Sequence, residues 1–340
     1  MDGKAAASVR RAMGQIVVAR ALWYVKPGVA ELRPERLEIP QPSEARVKTL
    51  FSLISRGTER LVAQGDVPEG EWRTMRAPHQ AGNFPFPVKY GYSAVGVVMT
   101  GPDALTGKTV FCLHPHQDFF QVPESNLVVV PDVIPARRAT LGANMETALN
   151  AHWDAGTGPG DKILVIGAGV VGLLTAYLAK RIAGSNVTIC DIDPSRASLA
   201  AKLGLEFALP KDAPADNRLV FHTSASAAGL QTAIEKSAFE ACIVELSWYG
   251  AKPVAINLGG AFHSRRLTIV ASQVGHVAPS RRATVTHSDR LSIALSLLDD
   301  PALDHLVAAE LAFEDVPAQM PTIFSNTAVG LAPVIRYPEN

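Results

Sequence analysis

Cysteine is scarce: three residues, Cys112, Cys190 and Cys242, in a chain of 340. No pair has the CxxC spacing of a metal site, and each lies in or beside an apolar, β-rich run. That pattern implies buried free thiols in a reducing compartment, with the cytoplasm as the default. An excess of charge is also lacking, since 32 Lys and Arg offset 32 Asp and Glu. Nothing in that balance calls for nucleic acid or an anionic membrane as partner. No apolar run is long enough to span a bilayer. The opening residues, MDGKAAASVRRAMGQ, lack the apolar stretch of a secretory signal and read as a frayed tail rather than a transit peptide.

What is present is ordinary for a globular protein: 47% apolar and 19% charged residues, in a chain long enough for two cores. The texture changes near residue 150. Before it, short strand-like runs are broken by proline and glycine: QIVVARALWYV, RVKTLFSLIS, SAVGVVM, KTVFCL, FFQVP and NLVVVP. After it, continuously apolar strands alternate with helical stretches, from KILVIGAG and VVGLLTAYLAKRIAG to RLTIVASQ. That alternation predicts a parallel, doubly wound sheet. From about Pro279 the pattern predicts a helix (DRLSIALSLLDD), a strand (LVAAELAFE), a helix (VPAQMPTIFS) and a strand (APVIRY) that return to complete the first domain.

KILVIGAGVVGLL carries Gly167, Gly169 and Gly172 as GxGxxG, after an apolar strand and at the start of an apolar helix. Gly167 suits the tight turn, Gly169 lets backbone approach a pyrophosphate, and Gly172 lets helix approach strand. Val170 and Val171 sit at the helix start, where free N–H groups face phosphate. Asp191 ends the next strand, 19 residues after Gly172. A carboxylate there binds ribose hydroxyls and repels a 2′-phosphate, which favours NAD over NADP. Arg196 either covers the adenine or is a solvated residue at a helix start. Ser247 in LSWYG and Ser272 in VASQVG follow strand ends, where cofactors lie in open parallel sheets.

ISRGTER, KYGYSAVGVV, GKTVFCL and GANMETALNA, in this order ahead of the glycine motif, resemble the medium-chain dehydrogenase/reductase superfamily, which includes the zinc alcohol dehydrogenases. Their details, with WYG and SQVG, look most like the bacteriochlorophyllide-dehydrogenase-like branch. The resemblance implies an α/β protein. A GroES-like β-rich catalytic domain spans residues 1–148, completed by 279–340, and a Rossmann domain with a doubly wound parallel sheet spans 149–278. It also implies a small-molecule substrate and a homodimer, with the strand LTIVAS pairing across a two-fold axis.

The departures from that family concern the metal. Its ligand cysteine is replaced by Arg56, its ligand histidine by Tyr92 with Ser93 after it, and its third ligand by Ala143 or Asn144. Arginine and alanine offer zinc no donor, and no four-cysteine lobe exists, so neither catalytic nor structural zinc is expected. A hydrogen-bond donor must then polarise the substrate oxygen. The resemblance makes Tyr92 that donor, or a base if Arg56 lowers its pKa. It makes Thr58 the proton relay, and Glu59 or Glu146 a partner of Arg56. The plainer alternatives are a packed Tyr92, a structural Arg56 ion pair and a capping Thr58.

His114 and His116 in CLHPHQDFF form a weak metal signal. The long segment holding Trp72, Arg73, Arg76, His79, Phe84 and Phe86 could form a lid over a large, flat or acidic substrate. The expected function is a zinc-independent, NAD(H)-dependent oxidoreductase acting on a secondary alcohol/ketone pair. The competing readings are a quinone or enone reductase, and an NAD(H)-binding protein without turnover.

Overall fold

The structure, a computed structural model, describes residues 16–307, 309–325 and 330–339. The tail expected at residues 1–15 lies outside the described residues. The chain divides into two units, Met1–Ala143 with Val307–Asn340, and Asn144–Leu306.

In the first unit the short apolar runs form strands. β1 (Val17–Lys26) pairs antiparallel with β2 (Val29–Leu37). The sequence pattern does not mark β2, because it holds Pro34 among alternating charges. Proline is tolerated there because β2 lies at a sheet edge, where an N–H is not required. β3 (Glu44–Leu53) leads into a helix that the sequence reading missed, α1 (Arg56–Gln64). Then come β4 (Ala81–Gly82), β5 (Val88–Lys89), β6 (Ala94–Thr100), β7 (Thr109–Cys112), β8 (Phe119–Pro123), β9 (Val128–Val129) and the short α2 (Ala136–Ala139). Ala45, Val47, Ala94, Val98, Val110, Phe120 and Val122 bury one face of this sheet.

The second unit follows from α3 (Gly142–Ala155). It holds β10 (Lys162–Ile166), α4 (Val170–Lys180), β11 (Asn186–Cys190), α5 (Arg196–Lys202), β12 (Glu206–Ala208), β13 (Asn217–His222), α6 (Ala227–Lys236), β14 (Ser237–Glu245), β15 (Thr268–Ala271) and α7 (His287–Ser296). Among the described residues its six strands are all parallel, in the order β12-β11-β10-β13-β14-β15. β10 reads as unbroken apolar sequence because helices cover both faces of such a sheet.

The return segment differs from the expectation in two ways. Residues 279–306 belong to the second unit rather than the first. Arg290 on α7 explains this: it is 1% exposed and bonds Glu146 Oε1 at 2.9 Å, Asn150 Oδ1 at 2.6 Å, and the carbonyls of His276 and Val274. A buried guanidinium with four acceptors ties α7 to α3. The strand expected over LVAAELAFE is short, β16 (Glu310–Ala312), and a 3-10 segment, Pro301–Val307, precedes it. After α8 (Val316–Ile323), β17 (Val334–Arg336) pairs antiparallel with β3 and parallel with β16. The chain thus returns to the first unit's sheet, in the order β16-β17-β3-β6-β7-β9 with β8 also on β3.

Candidate functional site

The glycine turn lies between β10 and α4. Gly167 has φ of 108°, a conformation side chains resist, and a Cβ there would stand 2.7 Å from Thr223 Oγ1. At Gly172 a Cβ would stand 1.8 Å from the Gly167 carbonyl oxygen, so only glycine lets α4 approach the turn. Gly169, the N-cap residue of α4, is the opposite case: exposed, with nothing within 4 Å of a Cβ. The free space at Gly169 and the helix start at Val170 and Val171 fit a diphosphate group, which would meet unpaired N–H groups and the positive end of the helix.

Asp191 lies just past β11 and secures the same turn. Its Oδ2 accepts the Ala168 N–H at 2.6 Å, and its Oδ1 accepts the Asp193 N–H at 2.9 Å. Arg196 opens α5 and pairs with Asp193 at 3.2 Å. Ser247 gives its N–H to Glu245 Oε1 at 2.7 Å, and its Oγ accepts the Ala225 N–H at 3.0 Å. The Ser272 hydroxyl is engaged by Asp154 Oδ2 at 2.7 Å, one strand away at the end of β15. Arg265 caps the carbonyls of Glu235 and Ser237, and Arg266 pairs with Glu240, so both arginines serve local structure.

In the first unit Tyr92 stands in the segment between β5 and β6 rather than within a strand, half-buried and edge-on to Tyr90 at 6.0 Å. Burial, then the negative charge of Glu59, pushes its phenol up to about 12, against hydrogen bonding with the Ser55 and Thr58 hydroxyls. The expectation that Arg56 would lower this pKa is therefore corrected. Arg56 donates instead to the carbonyls of Ser325 at 2.6 Å and Gly330 at 3.2 Å. The raised pKa keeps Tyr92 protonated at neutral pH.

The expected partners of Arg56 are engaged elsewhere as well. Glu59, fully buried, accepts from Tyr24 Oη at 2.9 Å and the Ser55 N–H at 2.7 Å, and lies 2.9 Å from His116 Nε2. His116 Nδ1 continues to Ser52 Oγ at 2.8 Å, and Ser52 to Tyr337 Oη at 2.9 Å. Glu146 is on α3 with Arg290; burial raises its carboxyl pKa, and the guanidinium opposes the rise. The structure thus brings Tyr92, Thr58 and Glu59 together in the first unit, while Glu146 belongs to the second. Tyr24, Ser52 and Tyr337 carry no sequence signal for this role, because each reads as one position in a strand. His116 carried one, in HPH.

The positions that the sequence resemblance matches to metal ligands hold Arg56, Tyr92, Ala143 and Asn144. Buried Asn144 Oδ1 has no partner among the described residues. No group of three or more His, Cys, Asp or Glu side chains that could hold a metal occurs among those residues. The His114 ring stacks on Phe120 at 4.2 Å, its Nδ1 bonds the Pro115 carbonyl at 2.9 Å, and burial holds its pKa well below the ordinary value. Cys112 is buried, and its thiol pKa is pushed up to about 12. Trp72, Arg73, Arg76, Asn83 and Phe84, from the expected lid segment, line a cavity of about 400 Å³. No helix of the described residues is long and apolar enough to cross a membrane.

Comparison with known proteins accords with this geometry. Residues 147–240 match the family model of the alanine dehydrogenase/PNT C-terminal domain. L-threonine 3-dehydrogenase of Rhizobium rhizogenes is 40% identical over 93 residues, which is 26% of each chain. The match thus spans about a quarter of the length of such curated relatives. L-idonate 5-dehydrogenase of Escherichia coli K-12 superposes with a TM-score of 0.78 at 13% identity, covering 95% of this chain and 99% of that one. An alcohol dehydrogenase of Escherichia coli CFT073, solved with NADH, gives 0.72 at 16% identity over 94% and 99%. The GroES-like and Rossmann architecture expected from the sequence is the one these structures share. The chain thus has the fold of these dehydrogenases, and its residues 147–240 carry a sequence similar to that of dehydrogenase domains.

Proposed function

We propose that the protein is an NAD(H)-dependent oxidoreductase that works without zinc on a secondary alcohol/ketone pair. The observation that carries the reading is the glycine turn, closed at Gly167 and Gly172 and open at Gly169, with Asp191 beside it. When bound, the nicotinamide supplies or accepts the hydride. Gly169, Val170 and Val171 hold the diphosphate, and Asp191 takes the adenosine ribose, an arrangement that favours NAD over NADP. Ser247 and Ser272 stand at strand ends on the same side of the sheet.

Tyr92 supplies what a metal would otherwise supply. In the reductive direction its O–H donates to the ketone oxygen and gives up its proton as the alcohol forms. A phenol with a pKa of about 12 is still a stronger acid than an aliphatic alcohol, so that transfer runs downhill. Thr58 and Ser55 orient the phenol and return a proton to it, and Glu59 holds the helix start from beneath. Arg56 positions the C-terminal segment.

Tyr92→Phe tests the assignment. It leaves NADH affinity unchanged and lowers turnover at least 100-fold, the usual scale of a lost acid–base group. Unchanged turnover makes Tyr92 a packing residue. Plasma mass spectrometry of the untagged protein gives substoichiometric zinc on this reading, whereas one zinc per chain removes it. Preference for enones over ketones in a substrate panel moves the protein to C=C reduction, and NADH binding without any turnover makes it a non-catalytic cofactor-binding protein. β15, a half-exposed edge strand, supports a homodimer built through that edge, tested by sedimentation.

A further inference from the structure

The parallel sheet holds a second polar cluster that the cofactor reading leaves unused. β13 and β14 are neighbours in register, with His222 opposite Glu245, so both side chains leave one face at the carboxyl ends of the strands. His222, fully buried, has Nδ1 at 2.7 Å from Glu245 Oε2 and Nε2 at 2.7 Å from Ser224 Oγ. Ser224 Oγ lies 2.9 Å from Ser226 Oγ, which accepts the Gly229 N–H at 3.0 Å and caps α6. Glu245 also accepts from Ser247 N–H at 2.7 Å and Tyr249 Oη at 3.1 Å. Burial works to raise the Glu245 pKa, yet the His222 and Ser247 hydrogen bonds outweigh it and leave the carboxyl below its ordinary value.

One tautomer of His222 gives these bonds a single direction. In a neutral imidazole, a carboxylate beside Nδ1 keeps the proton there and leaves Nε2 to accept from Ser224. Donation then runs from Gly229 N–H through Ser226, Ser224 and His222 to Glu245. Each hydroxyl proton in the chain is used, and Ser224 Oγ retains one free lone pair. It is an acceptor for a ligand hydroxyl.

Sheet order says which hydroxyl. Ser224 abuts the glycine turn, where a Cβ on Gly167 would stand 2.9 Å from its N. β13 lies on one side of β10, and β11, which leads to Asp191, lies on the other. A dinucleotide with its diphosphate at Gly169 and its adenosine at Asp191 has its second ribose on the β13 side. Glycine at 229 keeps the cluster in place, since a Cβ there would stand 2.2 Å from Ser224 Oγ and 2.8 Å from His222 Nε2.

We propose that Ser224 accepts a hydroxyl of the nicotinamide-side ribose, with His222 and Glu245 as positioning residues that set the direction of its hydrogen bond. This rests on the NAD(H) reading above. The test titrates NADH, ADP-ribose and ADP against the wild type, Ser224→Ala, His222→Gln and His222→Asn, read by calorimetry. ADP-ribose carries the second ribose and ADP does not. Ser224→Ala weakens NADH and ADP-ribose about fivefold to tenfold, the scale of one hydrogen bond, and leaves ADP unchanged. His222→Asn, which loses the group facing Ser224, follows Ser224→Ala, whereas His222→Gln keeps an amide there and restores most of the affinity. Equal weakening of all three ligands by Ser224→Ala, or no weakening, overturns the inference and leaves the cofactor reading standing. A wild type that binds neither NADH nor ADP-ribose overturns both.

Discussion

The glycine turn and the Tyr92 cluster are built from different material. At the turn, backbone does the work: Gly167 and Gly172 are in contact, and Ala168 N–H is held by Asp191. Its parts lie within 25 residues of chain. Around Tyr92 the contacts run through side chains. Tyr24 comes from β1, Ser52 from β3, Glu59 from α1, His116 from a loop and Tyr337 from the C-terminal segment. A backbone site tolerates no Cβ at its closed positions and any small change at its open one. A side-chain network fails by losing protons or partners, so its weaknesses are electrostatic.

That contrast is sharpest at the glycines. Gly172→Ala forces a Cβ onto a carbonyl with no flexible group to move, and destabilises the second unit by about 3 kcal/mol or more. In a unit of this size that lowers its melting temperature by about 6–12 °C in calorimetry. Gly169→Ala leaves melting within about 0.5 kcal/mol of the wild type, because its Cβ meets nothing, yet it weakens NADH binding. An alanine at 169 that binds NADH normally removes the diphosphate from that face.

The first unit is expected to fail with alkali instead. Burial first of all raises the phenols of Tyr24, Tyr90, Tyr92 and Tyr337. A folded-state pKa above the ordinary 10.0 means the folded state holds its protons more tightly. Its stabilising contribution is complete below about pH 10 and is lost as pH rises toward 12. Tyrosinate absorbance should therefore show these phenols titrating late, together with unfolding of this unit. Glu59→Gln removes the carboxylate charge and brings the Tyr92 titration to lower pH. A Tyr92 that ionises near 10 contradicts the burial described above.

The smallest effect is assigned to Arg196→Ala. Its ion pair with Asp193 is partly exposed, and such pairs contribute at most about 1 kcal/mol. NADH affinity should stay within about twofold, and a tenfold loss by calorimetry would give Arg196 the adenine contact.

The two regions also differed in what the sequence disclosed. GAGVVG could be read because the demands on Gly167, Gly169 and Gly172 are local, and each glycine has one reason to be there. The parallel order of β10 to β15 followed from unbroken apolar strands. β2 was hidden because Pro34 obscures the alternation that an edge strand still has. Tyr92 and Thr58 could be placed beside each other through family resemblance, but the direction taken by Arg56 could not. Its acceptors are backbone carbonyls at Ser325 and Gly330, more than 260 residues away, and carbonyls leave no residue-type signature. The same holds for α7, whose attachment depends on Arg290 reaching Glu146 and Asn150.

Asp191 has a consequence for how this protein could change. On the proposed NAD(H) reading, one carboxylate takes the ribose and also holds Ala168 N–H in the turn. Any replacement that welcomes a 2′-phosphate also strips that amide of its acceptor. Cofactor choice and loop shape are therefore inherited as a single trait. A lineage, or an engineer, that wishes to alter the first must supply a substitute acceptor for the second in the same step.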